Sequence, residues 1–150
     1  FLWDIGAGSG SVAIEWMLAD PAMRAVAIEA RADRADRIRR NAAAFGVPGL
    51  TVIEETAPAA LEGLAPPDAI FIGGGGSDPG VLDASVAALR SGGRLVANAV
   101  TLETEAALLA RHTALGGELT RIAIARADAV GTKTGWRPAM PVTQWAWVKP

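Results

Sequence analysis

The run Phe1-Leu2-Trp3-Asp4-Ile5-Gly6-Ala7-Gly8-Ser9-Gly10-Ser11 decides the fold. Its apolar opening ends at an acid, three glycines then alternate with small residues, and an amphipathic segment follows from Val12 to Leu18. That order reads as strand, tight turn and helix, with the amides of the turn and of the helix N-terminus free to receive a ligand. Glycine is needed where the chain takes positive φ or where a ligand touches bare backbone.

The spacing narrows the ligand. A dinucleotide fingerprint places its third glycine after two spacer residues, so that helix and strand close over a pyrophosphate. Here the spacing is G-x-G-x-G followed by Ser11, with Asp4 two residues ahead of Gly6. This arrangement resembles motif I of the class I S-adenosylmethionine (SAM) methyltransferases. The resemblance implies that Asp4, Gly6, Ala7, Gly8, Ser9 and Gly10 bind the cofactor. The loop wraps its amino-acid end, and the acid faces its ammonium directly or through water. A nicotinamide or flavin nucleotide, or a glycine turn that holds nothing, is the competing reading.

Composition sets the outer bounds. A chain of 150 residues is sized for one domain, 1–150, with a full core. Its net charge of −2 offers no overall basic field for nucleic acid. Cysteine is absent, which excludes disulfides, thiolate metal sites and cysteine nucleophiles. A single histidine, His112, leaves no histidine-rich metal centre, so no metal is expected. No apolar run is long enough to span a bilayer, and none reads as a signal peptide. The expectation is a cytoplasmic enzyme with neither nucleic acid nor membrane as partner. Because the sequence starts inside its first strand, it also reads as a fragment of a longer chain, lacking an N-terminal leading helix.

Beyond the first helix, residues 24–28 read as a second buried strand that ends at Glu29. A carboxylate about 20 residues past the glycine loop accepts hydrogen bonds from ribose hydroxyls in nucleoside-binding folds. Residues 31–45 form a charged helix with Ile38, Ala42 and Phe45 on one face. Asp33/Arg37 and Asp36/Arg40 are spaced for (i, i+4) pairing, and the interleaved acids make the arginines a solvated face rather than an RNA site. Residues 50–54 are a third strand. The following Glu55-Thr56-Ala57-Pro58 either flanks an adenine, Ala57 packing on the ring and Thr56 or Glu55 reaching its amine, or is an ordinary loop.

Residues 68–72 form strand four, running into Gly73-Gly74-Gly75-Gly76. Asp78 with Pro79 reads as the N-cap and first turn of the next helix. Strand five covers 94–100, Thr101 caps a helix over 102–115, and His112 reads as a surface or packing residue. A long strand is expected over 119–127, a loop over 130–141, and a final strand over 142–149 with Trp145 and Trp147 on one face, in the core or at an interface. The fold class is therefore α/β: a doubly wound, mostly parallel seven-stranded sheet, Rossmann-like, with an antiparallel C-terminal hairpin. Asp4 to Gly10, Glu29, Thr56-Ala57 and Gly73 to Gly76 all fall on the carboxyl rim of such a sheet, where its ligands bind.

Four stretches carry a narrower resemblance: residues 2–16, Thr56-Ala57-Pro58, residues 68–74 and Arg94-Leu95-Val96-Ala97-Asn98-Ala99-Val100-Thr101-Leu102-Glu103-Thr104. Together with Gly135-Trp136-Arg137-Pro138-Ala139-Met140-Pro141-Val142, they resemble the cobalamin-pathway CbiT/CobL family, the methyltransferase domains of decarboxylating precorrin-6Y C5,15-methyltransferases. The resemblance implies SAM-dependent methylation of a precorrin at C-15, coupled to loss of CO2 from the C-12 acetate, with S-adenosylhomocysteine (SAH) as product. It places Glu29, Thr56, Ala57 and Gly73 with the motif I loop around the cofactor. It sets Asn98, Thr101 and Glu103 at the reacting centre, and Gly74, Gly75, Thr134, Trp136, Arg137 and Met140 against the substrate. Arg137 either pairs with a peripheral carboxylate or faces solvent. The family further implies a homo-oligomer, such as a tetramer, and a separate C-5 methyltransferase domain in the parent chain. Glu55 departs from the small residue expected before Thr-Ala-Pro. The alternatives are a class I methyltransferase acting on RNA, protein or another small molecule, and a SAM-fold module without activity.

Overall fold

The computed structural model describes residues 1–150. Its strands and helices follow the expected alternation: β1 (Leu2–Ile5), α1 (Ser11–Ala19), β2 (Ala25–Ile28), α2 (Ala32–Ala44), β3 (Thr51–Ile53), β4 (Ala69–Ile72), α3 (Val81–Ala88), β5 (Arg94–Ala99) and α4 (Leu102–Leu115). Then come β6 (Glu118–Ile122), β7 (Ala125–Val130), β8 (Lys133–Pro138) and β9 (Val142–Val148). Seven strands form one sheet in the order β3-β2-β1-β4-β5-β9-β6. β1 to β5 pair in parallel, while β9 inserts antiparallel between β5 and β6. Strand order reverses between β1 and β4, the switch point where open α/β sheets leave a crevice.

Short, continuously apolar strands follow from burial on both faces. Leu2, Ala25 and Ala27 pack with Ala13 and Ile14 of α1 and with Ile38 and Ala42 of α2. On the opposite face Ile5, Val26, Ile28, Ile70, Ile72 and Leu95 pack with Val81 and Leu82 of α3 and Leu108 of α4. Trp145 and Trp147 complete that second layer, stacked with centroids 6.0 Å apart. Because side chains alternate along a strand, Asp4 is thrown to the α1 side, two positions from Leu2.

Five expectations are corrected. The strand expected over 119–127 breaks at Ala123 and Ile124, after which β7 leaves the main sheet. The loop expected over 130–141 contains β8, which pairs with β7 in a separate two-stranded ribbon from Ala125↔Pro138 to Val130↔Lys133. The turn between them is Gly131-Thr132, with Gly131 at φ 62°, a two-residue hairpin whose first position wants glycine. Asp78 does not cap α3: Gly80, at φ 85°, takes the N-cap, and its left-handed backbone prevents the helix from starting earlier. On α2 the ion pairs are Arg31–Asp33 at 3.0 Å and Arg39–Asp36 at 2.8 Å instead of the (i, i+4) pairs. Phe45, past the end of that helix, is exposed.

The helix cap at Thr101 is as expected, its hydroxyl accepting from the Thr104 amide at 3.3 Å. Trp145 and Trp147 are buried, so they belong to the core and present no interface. The Trp145 indole donates to the Gly116 carbonyl at 2.9 Å, which satisfies its polar end inside. Exposed apolar side chains on and beside the ribbon include Ile124, Val130, Trp136 and Met140. No helix is long and apolar enough to cross a membrane.

Candidate functional site

The crevice at the switch point is built by two glycine turns in backbone contact. Gly6, Gly8 and Gly10 all take positive φ (67°, 62° and 78°), a conformation glycine enters without steric cost. The Gly6 and Ala7 amides donate to the Ile28 carbonyl at 2.9 and 3.0 Å, tying the loop to the end of β2. From β4, the Gly73 amide donates to the Ile5 carbonyl at 2.9 Å. A Cβ on Gly6 would stand 2.6 Å from both N and O of Gly74, so the two turns touch where a side chain on Gly6 would separate them. Gly8 differs, because a Cβ there meets nothing within 4 Å: it faces open space.

Glu29 organises that space. Its Oε2 accepts from the Gly8 amide at 2.9 Å and its Oε1 from the Arg31 amide at 3.1 Å, which pins the side chain at the cavity wall. A carboxylate has about four acceptor positions, so two remain for ligand hydroxyls. Behind the loop, Asp4 is buried; its Oδ2 accepts from the Ala13 amide of α1 at 3.0 Å and its Oδ1 has no partner. Burial pushes its carboxyl up from 3.8 to about 6, against the pull of the Ala13 hydrogen bond, with the Glu29 charge adding to the rise. Asn41 of α2 donates to the Ser9 carbonyl at 2.9 Å and braces the loop from outside.

These parts enclose a cavity of about 440 Å³, within the range of small-molecule sites. Of the residues expected at the cofactor, Gly6, Gly8, Glu29, Thr56, Ala57 and Gly73 line it, together with Gly74 and Gly75, which were expected on the substrate side. Asp4, Ala7, Ser9 and Gly10 lie outside the lining. Gly10 instead packs against α2, where a Cβ would come within 2.7 Å of Ile38. Asn98 is placed beyond the cavity wall, on β5, where its Oδ1 accepts from Gln144 Nε2 of β9 at 2.9 Å. Thr101 and Glu103 are exposed at the start of α4. Thr134, Trp136, Arg137 and Met140 are carried by the ribbon or just past it, and Arg137 pairs with Asp128 across it at 3.0 Å.

Sequence reasoning missed three charged lining residues: Arg31, Arg34 and Asp78. The arginines were hidden among others on an alternating-charge helix; the signal was their place at its N-cap and in its first turn, just beyond Glu29. Asp78 was read as a helix cap, a role that Gly80 fills. The bare backbone at Gly8 and the spare acceptors of Glu29 fit a nucleoside, while the unpartnered Oδ1 of Asp4 lies buried behind the loop, outside the cavity lining. A pyrophosphate would meet Glu29 and Asp78 rather than a third glycine.

The comparisons with known proteins agree with this geometry. The chain is 68% identical over 148 residues to the precorrin-6Y C(5,15)-methyltransferase [decarboxylating] of Sinorhizobium sp; the match covers 99% of this chain and 36% of that protein, about a third of its length. The solved C-terminal domain of precorrin-6Y C5,15-methyltransferase from Rhodobacter capsulatus superposes with a TM-score of 0.91 at 47% identity, covering 99% of this chain and 79% of that one. The cobalt-precorrin-6B C(15)-methyltransferase (decarboxylating) of Salmonella typhimurium is 30% identical over 145 residues, 94% of this chain and 74% of that protein. A family model described as precorrin methyltransferase domain matches residues 1–149. With motif, crevice and relatives in agreement, the chain belongs to the precorrin methyltransferase domain family.

Proposed function

We propose that this domain binds SAM in the switch-point cavity and methylates C-15 of a precorrin, with decarboxylation of the C-12 acetate, in cobalamin biosynthesis. The observation that carries the reading is the cavity between the two glycine turns, with Glu29 fixed at its wall by the Gly8 and Arg31 amides. The chemistry assignment is supported by the relatives: those named for both C-5 and C-15 are only about a third covered, at 36%. One named for C-15 alone is covered over 74% of its length. That coverage supports assigning the C-15 half of the activity to this chain, and the reading gives the C-5 step to another domain of a parent protein.

SAM supplies a methyl group on a cationic sulfur. Glu29 orients the ribose through its free acceptor positions, and the Gly6 and Gly8 backbone lets the nucleoside settle against the loop. Thr56 and Ala57 border the adenine end, and Gly73 to Gly75 leave bare backbone at the transfer end, where a bulky acceptor needs room. Alignment and exclusion of water are what such a transfer requires from the protein. An enamine-like meso carbon of a reduced tetrapyrrole is already nucleophilic, which agrees with a cavity that no histidine lines. A protonated macrocycle takes up the electron pair released when CO2 leaves. Asn98 near the end of β5, with Thr101 and Glu103 past it, are the groups to orient the acceptor, and Thr134, Trp136, Arg137 and Met140, on the ribbon or just past it, wall its outer side.

The same reading extends to assembly. An isolated two-stranded ribbon is marginal in water, and β7–β8 exposes Val130 and Trp136; its cover is a second copy, in a homo-oligomer such as a tetramer. The enzyme is placed in the cytoplasm. Titrating SAH into the full-length protein by calorimetry, then incubating it with SAM and a precorrin, tests the core of the reading. The expected product has gained a methyl and lost CO2. Absence of SAH binding, or a product unchanged in mass, refutes it.

A further inference from the structure

Asp78 is left over by everything described so far. It does not cap α3, and its carboxylate has neither a hydrogen-bond nor an ion-pair partner; only its backbone is engaged, through Gly75 and Val81. Yet it is the one residue that lines both the 440 Å³ cofactor cavity and a second cavity of about 340 Å³ between the Gly76–Gly80 turn and α4. The carboxylate stands at the transfer end: a Cβ on Gly75 would lie 3.2 Å from its Oδ2. Of the other charged groups around the two cavities, Arg34 lines the first without an ion-pair partner, and the rest are accounted for differently. Glu29 is held by two amides, Arg31 pairs with Asp33, and Arg111 pairs with Asp83 at 2.6 Å. Glu55, the other unpartnered acid, sits beside Thr56 at the adenine end.

Methyl transfer moves a positive charge. The S–CH3 bond breaks with its electron pair left on sulfur, which becomes a neutral thioether. The C–CH3 bond forms from the π pair of the acceptor carbon, so the charge passes to the conjugated ring nitrogen. A fixed carboxylate accelerates such a step only where it is closer to the place the charge arrives than to the place it leaves, since equal stabilisation of both ends gains nothing. We propose, resting on the precorrin reading above, that Asp78 is the carboxylate that receives this charge, facing the acceptor ring from the junction of the two cavities. The second cavity, floored by Ala107, Ala110 and Ala114 of α4 and closed by Leu82, then takes the edge of the flat macrocycle.

The test is Asp78→Asn in the full-length protein, an isosteric change at an exposed turn that leaves the fold intact. Calorimetry with SAM and with SAH should give affinities within about threefold of wild type, because the carboxylate serves the acceptor and not the sulfonium. Turnover should fall roughly tenfold or more, the scale of one lost electrostatic contact to a developing charge. A spectroscopic readout runs without turnover: precorrin bound together with SAH should show a smaller protonated fraction in the variant, read from its absorption band at fixed pH. If SAM affinity drops while turnover per bound complex is kept, the carboxylate serves the ground-state sulfonium and the proposal fails. It fails equally if turnover and spectrum both match wild type. A wild-type enzyme that binds SAH but leaves every precorrin unmethylated removes the precorrin reading, and this inference with it; an active wild type matched by the variant removes this inference alone.

Discussion

Gly6→Ala and Gly8→Ala sit two residues apart in one loop and should behave differently. Both glycines hold left-handed backbone, so any side chain costs about 1–2 kcal/mol at either site. At Gly8 that is the whole expected loss of stability, since nothing lies within 4 Å of a Cβ there. At Gly6 the new methyl would meet Gly74 N and O at 2.6 Å and its Cα at 2.7 Å. Those are backbone atoms, which cannot turn aside as a side chain can, and the Gly73 amide bond to Ile5 holds them in place. Forcing β1 and β4 apart adds about 1–3 kcal/mol of overpacking, for a total of about 2–5 kcal/mol. For a domain of this size that corresponds to a melting temperature lower by about 4–20 °C, against about 2–8 °C for Gly8→Ala. Calorimetric titration with SAH supplies the second axis. Gly8→Ala should lose affinity about tenfold or more while remaining folded, because its methyl fills ligand space, a loss of about 1.4 kcal/mol. Should Gly6→Ala melt within a degree or two of Gly8→Ala, the two glycine turns are not in contact. Should Gly8→Ala bind SAH as wild type does, the cavity beside Gly8 is not the cofactor site.

Other perturbations follow from the same geometry. Glu29→Gln keeps one acceptor and turns an NH2 toward either the Gly8 or the Arg31 amide; SAH affinity should drop by about 10- to 100-fold, the worth of a charged hydrogen bond, read by calorimetry. Asp4 is protonated more readily in the fold than in the unfolded chain, so it favours folding at low pH and loses that contribution as pH rises from about 4 to about 6. The rise from 3.8 to about 6 corresponds to about 3 kcal/mol. Asp4→Asn should therefore gain stability relative to wild type across that window and hold the gain above it; chemical denaturation at several pH values measures this. Trp136→Ser combined with Val130→Ser should lower the mass seen by light scattering without shifting the far-ultraviolet circular dichroism of the main sheet. Thr143→Val removes a hydroxyl that donates to Glu105 Oε2 at 2.8 Å and accepts from Arg121, and should cost about 1 kcal/mol in denaturant melts.

The order of strands and helices through α4 was legible in the sequence because each element carries its own local signal. β1, β2 and β4 are short, largely apolar runs stopped by Gly6, Glu29 and Gly73, and α2 shows Ile38 and Ala42 at helical spacing. The glycine loop and Glu29 were legible for the same reason: positive φ and a carboxylate at a strand end are demands on single residues. The ribbon was not, although Gly131-Thr132 signals its turn, because β8 contains Gly135 and Pro138 and has no alternation of its own. Its strands exist through cross-strand pairing, a property of two segments at once.

What the chain's order of residues determined alone was the class of fold, the ends of most elements and the character of the cofactor loop, all set by torsional preference and hydrophobic period over a few neighbours. Only the tertiary structure decided that Trp145 and Trp147 turn inward, that Gly6 meets Gly74, and that Asp78 looks into two cavities rather than capping a helix. Those facts depend on which residues distant in sequence are brought within a few ångströms, and close packing, unlike periodicity, cannot be read from one segment at a time.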